Sequence, residues 1–145
     1  MKRLLFTGIF LAIIAIDVNA QCVEGNCFDG NGSFLFENGD DYKGLWKKGK
    51  MHGNGTYYFQ NGDEYKGSFK NGTMTGRGMY KYSDGSKYVG TWKDGKMHGR
   101  GHFYWATTGD LMDTYKYEGT FKEGVPVRID IIEPGVLEER TDLKK

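Results

Sequence analysis

The chain has 145 residues, 20 Lys and Arg against 19 Asp and Glu, 23 Gly, 10 Tyr, 9 Phe, 3 Trp, two Pro and two Cys. That length suits one domain, and a formal charge of +1 excludes a general nucleic-acid binder, which needs a basic excess to neutralise phosphates. A mean hydropathy of -0.63 excludes a thick core, while 15% aromatic residues exclude a disordered chain.

Residues 1–20 have the form of a secretory signal. Lys2 and Arg3 precede an apolar run from Leu4 to Ile16, and Val18-Asn19-Ala20 supplies small residues for cleavage. The run is shorter than the roughly 20 residues a spanning helix needs. Cleavage after Ala20 removes Lys2, Arg3 and Asp17 and leaves a formally neutral chain starting at Gln21. Export to a periplasmic, extracellular or envelope location is therefore expected. Residues 21–29 form an N-terminal cap holding Cys22 and Cys27, which in an oxidising compartment favour a short disulfide loop. The alternative is a lipid anchor on Cys22. Gln21 fits that alternative poorly, since lipoprotein signals place a small residue there.

From residue 30 to 124 the chain repeats itself. Tyr42-x-Gly44-x-Trp46 recurs as Tyr65-x-Gly67-x-Phe69, Tyr88-x-Gly90-x-Trp92 and Tyr117-x-Gly119-x-Phe121, and a half unit from Gly30 to Phe36 precedes them. The first three units continue into Gly53-x-Gly55, Gly76-x-Gly78 and Gly99-x-Gly101, followed by aromatics that include Tyr57, Phe59 and Tyr80. A recurrence of this length means stacked units that cannot bury their own faces alone. Within a unit the apolar and polar residues alternate with the period of two of a strand. Asn38-Gly39, Asn61-Gly62 and Asp84-Gly85 are dipeptides favoured in two-residue hairpin turns with positive φ at both positions. The fold expected is all-β, a single-layer antiparallel meander of stacked hairpins. Its strand glycines are expected to let rings from neighbouring strands lie on bare backbone.

This pattern, Tyr-x-Gly-x-(Trp/Phe)-x-x-Gly followed by Gly-x-Gly-x-(Tyr/Phe), resembles the MORN repeat. Units start at 42, 65, 88 and 117; Thr75 replaces a histidine in the second, and extra residues around 107–116 interrupt the third. The resemblance implies a non-catalytic scaffold that holds partner proteins, self-associates or touches phospholipid head groups; a single-layer sheet is expected to hold another protein or a second copy of the chain through its aromatic face and free edge. Residues 125–145 are expected to form a capping strand, starting at Val125, and a charged tail.

The candidate chemistry is sparse. His52 and His98 sit at the same position of their units, His102 stands apart, and no Ser or Cys is placed to use them as a base, so no enzyme and no cofactor are expected. Asp40/Asp41, Asp63/Glu64 and Asp110/Asp113 lack the dense oxygen spacing of a calcium loop and read as solvated strand starts. The Gly-x-Gly pieces lack the surroundings of a phosphate loop. Asn31, Asn54 and Asn71 head glycosylation sequons that the repeat's own Asn-Gly-Thr usage produces. One long edge gathers bases, Lys47, Lys48, Lys50, Lys70, Arg77, Lys93, Lys96 and Arg100, and the opposite edge gathers acids. The basic edge gives an alternative function, peripheral binding of anionic lipid or glycolipid.

Overall fold

A computed structural model describes residues 21–106 and 116–132. The signal-like segment, the insertion from 107 to 115 and the tail from 133 lie outside the described residues. Ten strands, β1 (Gln21–Gly25), β2 (Gly30–Leu35), β3 (Asp41–Lys47), β4 (Lys50–Tyr58), β5 (Glu64–Lys70), β6 (Thr73–Lys81), β7 (Lys87–Lys93), β8 (Lys96–Tyr104), β9 (Lys116–Lys122) and β10 (Val125–Ile132), form one antiparallel sheet whose spatial order is the chain order. No helix occurs among the described residues. The meander read from the period of two is therefore present, extended by a strand at each end.

One face carries the core, with no second layer over it among the described residues. Tyr42, Trp46, Tyr65, Phe69, Tyr88, Trp92, Tyr117 and Phe121 are all buried. They are buried by one another: Trp46, Tyr42, Phe69, Tyr65, Trp92, Tyr88, Phe121 and Tyr117 follow in a chain with centroids 4.8–5.9 Å apart. Most contacts are edge-on, the arrangement the ring quadrupole favours. A second row, from Phe34 and Phe36 through Tyr57, Phe59, Tyr80 and Tyr82 to Phe103, runs beside it. Trp105, which the repeat motif does not mark, joins this packing. The first row is buried, and the second row stays half-buried on an open face.

The glycines divide into two kinds. Gly32, Gly44, Gly55, Gly67, Gly78, Gly90, Gly101 and Gly119 pair with one another in sequence, a row crossing β2 to β9. On the core face one tyrosine lies over two of them: a Cβ on Gly67 would come within 2.6 Å of both the Tyr65 Oη and the Gly78 Cα. The covering ring thus comes from the glycine's own strand as well as from its neighbour. Gly53, Gly76 and Gly99 depart from the ring-stacking expectation. They sit beside the bulges of their hairpins with φ of 63, 63 and 65°, and the nearest side chains are Leu45, Ser68 and Thr91 rather than rings. Their need is for left-handed backbone.

The turns also differ from expectation. Asn38, Asn61 and Asp84 do not have positive φ; only the following glycines do. Phe36 N–H donates to Asp40 O at 2.9 Å and Gly39 N–H to Phe36 O at 3.0 Å, and the same pair of bonds recurs at Phe59/Asp63 and Tyr82/Ser86. These are three-residue loops, a type I turn followed by a left-handed glycine. The two-residue turns with positive φ at both positions lie at the opposite edge: Lys48-Gly49, Asn71-Gly72, Asp94-Gly95 and Glu123-Gly124.

Candidate functional site

The edge formed by the three-residue loops is built on carboxylates. Asp40 is only 8% exposed, and three donors converge on it: Tyr57 Oη at 2.7 Å, Gln60 N–H at 2.8 Å and Asn38 Nδ2 at 2.7 Å. Asp63 repeats this with Tyr80 Oη at 2.7 Å, Ser83 N–H at 2.8 Å and Asn61 Nδ2 at 3.0 Å. Burial pushes both carboxyls up, but the donated hydrogen bonds outweigh it and hold them below the usual aspartate value. Asp40 and Asp63 are thus internal fastenings, not the solvated strand starts that their place after a turn suggests. The tyrosine that completes each fastening comes from the far strand of the hairpin. The third loop lacks the fastening. Ser86 replaces the aspartate, Phe103 replaces the tyrosine, and Ser86 Oγ bonds Asp84 Oδ1 at 2.6 Å instead. Asp110 and Asp113 lie outside the described residues.

The opposite edge is held by backbone. The turn glycines Gly49, Gly72, Gly95 and Gly124 each donate their N–H to a carbonyl of the preceding hairpin, Phe28, Met51, Met74 and Met97, at 2.9–3.0 Å. Apart from Asp29, whose Oδ1 accepts the Lys48 N–H at 3.1 Å, side chains are left free of that task. Lys47, Lys48, Lys50, Lys70, Lys93 and Lys96 stand exposed along this edge, with Lys96 Nζ 3.1 Å from Glu123. Arg77 and Arg100 do not join them. They lie at the centres of β6 and β8, on the face away from the rings.

That face holds a trough. The glycine row forms its floor, because the Cα hydrogens that replace side chains there point to the ring face and only the flanking residues rise on this one. Three recesses succeed one another along the row. One of about 250 Å³ lies at Gly32 and Gly44, one of about 410 Å³ at Gly44, Gly55 and Gly67, and one of about 540 Å³ at Gly78 and Gly90. Lys43 and Lys66 stand on one wall, Arg77 and Arg100 on the other. No motif in the sequence marks the trough, since its floor residues lie far apart along the chain and meet only through register.

The histidines do not assemble. No His side chain makes a hydrogen bond among the described residues, and the Nδ1 atoms of His52 and His102 are buried without a partner there. Among the described residues no cluster of His, Cys, Asp and Glu is arranged to hold a metal. Cys22 and Cys27 are joined as a disulfide across the end of β1, a state compatible with an oxidising compartment.

The model of the MORN repeat matches residues 42–64, 65–87, 88–109 and 117–127, and the chain belongs to the MORN repeat family. Repeats of this family serve in protein-binding and membrane-binding scaffolds and are generally non-catalytic. No curated protein matches the chain.

Proposed function

We propose that the protein is an exported, non-catalytic scaffold that holds a protein partner, another protein or a second copy of itself. The supporting observation is the outer strand β10. Among the described residues it pairs only with β9, and Val125 and Val127 are each 58% exposed and Ile129 43%. Unpaired strand edges with apolar side chains are association surfaces. The signal-like segment and the disulfide support export. The ring face, whose second row is only half-buried, offers a further apolar surface.

Light scattering and pull-down at about 0.15 and about 0.5 M salt, spanning the range over which surface charge is screened, test this. Association that persists at the higher salt and is lost in Val127→Asp supports the proposal. A monomer that captures no protein, but binds anionic vesicles through Lys47, Lys48, Lys50, Lys70, Lys93 and Lys96, overturns it in favour of lipid binding.

A further inference from the structure

We infer that the trough over the glycine row is a binding site for an extended acidic glycan bearing one carboxylate per disaccharide. The row crosses eight strands, so at about 4.8 Å per strand the trough is roughly 34 Å long. It is a recess for a chain rather than a compact ligand. Its floor is bare backbone, which lets a flat ring approach closely, and that backbone is already engaged in the sheet.

The cations are spaced by the repeat. Lys43 and Lys66 both pair with Thr56, one from each side, so they stand two strands apart, about 9.6 Å. Arg77 pairs with Thr91 on β7, and Thr91 Oγ1 in turn donates to the Arg100 carbonyl on β8 at 3.3 Å, which gives the same two-strand step on the opposite wall. Lys66, Arg77 and Arg100 are exposed and have no ion-pair partner among the described residues; Lys43 Nζ lies 3.7 Å from the half-buried Asp41 and 5.9 Å over the Tyr58 ring. Two strands match the length of two pyranose rings. An extended acidic peptide presents side chains on one face about every 7 Å and matches the step of neither wall; the two walls are offset from each other by the single-strand step between Lys66 and Arg77. Because the trough runs across the strands, such a peptide also finds no free ladder to join. Between the cations stand Asn54, Thr56 and Thr91, which can donate to and accept from sugar hydroxyls, together with the apolar Val89 and with His102. Glu24 and Glu118 close the two ends and confine the anion to the middle strands. The site is separate from β10, so its failure leaves the scaffold proposal standing.

Binding of a hyaluronan oligosaccharide long enough to cross the trough, measured calorimetrically on the mature chain at about 0.05 and about 0.15 M salt, tests the inference. Uncharged chito-oligosaccharide of the same ring count, poly-glutamate and phosphatidylglycerol vesicles serve as comparisons. The expected result is hyaluronan binding that exceeds all three. Lys66→Glu with Arg77→Glu should weaken it at least about tenfold, the neutral pair Lys66→Gln with Arg77→Gln should weaken it less, and Lys48→Glu with Lys70→Glu on the turn edge should leave it unchanged. Melting temperatures show whether each variant is folded, and the neutral pair decides the question if the charge-reversed pair is not. Equal binding of poly-glutamate or vesicles, loss on reversing the turn edge alone, or no hyaluronan binding at the lower salt overturns the site.

Discussion

The two long edges of the sheet look like electrostatic opposites in the sequence, yet the structure makes them different in kind. On the acidic edge Asp40 and Asp63 are engaged in internal hydrogen bonds to a tyrosine, an amide side chain and a backbone N–H. On the basic edge the turns are closed by glycine N–H groups and carbonyls, and the lysines contribute little to that closure. Counting charges on turns therefore overstates the negative field and understates the stability it represents. A carboxylate that organises three donors is a structural element, whereas an exposed lysine beside a left-handed turn is free to serve binding.

Both edges depend on the glycine row between them, and its disruption is the largest effect expected. Gly67→Val puts branched carbons where the Tyr65 ring and the Gly78 backbone already lie, with no flexible neighbour to give way. A loss above about 3 kcal/mol is expected, read as a collapse of the denaturant midpoint, and an unchanged midpoint would remove the packing account. Asp63→Ala comes next. It strands the Tyr80 hydroxyl and the Ser83 amide, at a cost of about 2–3 kcal/mol, while Ser86→Ala at the unfastened third loop should cost well under half as much.

Tyr80→Phe sharpens the comparison through pH. The folded carboxyl of Asp63 lies below its unfolded value of about 3.9, so its contribution is fully present above that pH. It is lost as the pH falls through the unfolded value towards the lower folded one. Removing the Tyr80 donor brings the two values together. Tyr80→Phe should lower stability at neutral pH by about 1.5 kcal/mol and flatten the acid limb of the plot of melting temperature against pH. An acid limb as steep as that of the parent would assign the pH dependence elsewhere.

The sheet was legible because period two, the recurring Tyr-x-Gly-x-(Trp/Phe) and the Gly-x-Gly pairs are local facts. The turn types were not. Asn-Gly at 38–39 and 61–62 is the usual mark of a two-residue turn, but all the loops described on that edge close over three residues, whether Asp40, Asp63 or Ser86 follows the glycine, and the two-residue turns fall to Lys48, Asn71, Asp94 and Glu123. The fastening stays hidden in the sequence because its partners, Asp40 with Tyr57 and Asp63 with Tyr80, are joined by register rather than by spacing within a motif. Arg77 and Arg100 mislead for the opposite reason. They follow the turns closely in sequence, which places them on the basic edge, but long strands carry them to the centre of the open face.

The smallest effects expected give the most direct check on the difference between the edges. In an Asp84→Asn background, which restores the amide donor that Asn38 and Asn61 supply, Ser86→Asp with Phe103→Tyr rebuilds in the third loop the fastening present in the first two. The gain over that background should be about 1 kcal/mol, the usual net worth of a hydrogen bond, whereas with Asp84 retained the two carboxylates would face each other at the place where the Ser86 hydroxyl now donates and the gain should vanish. Each single change should cost stability, since Ser86→Asp alone buries an acceptor and Phe103→Tyr alone buries a donor. The pair is therefore coupled, and a double-mutant cycle measures it. A charge reversed at the basic edge, Lys48→Glu, should by contrast move stability by no more than about 0.5 kcal/mol, since the Lys48 backbone is held by its N–H to Asp29 Oδ1 at 3.1 Å whatever the side chain. If the cycle shows no coupling while Lys48→Glu is costly, the edges differ by charge alone and the hydrogen-bonded fastening is not what distinguishes them.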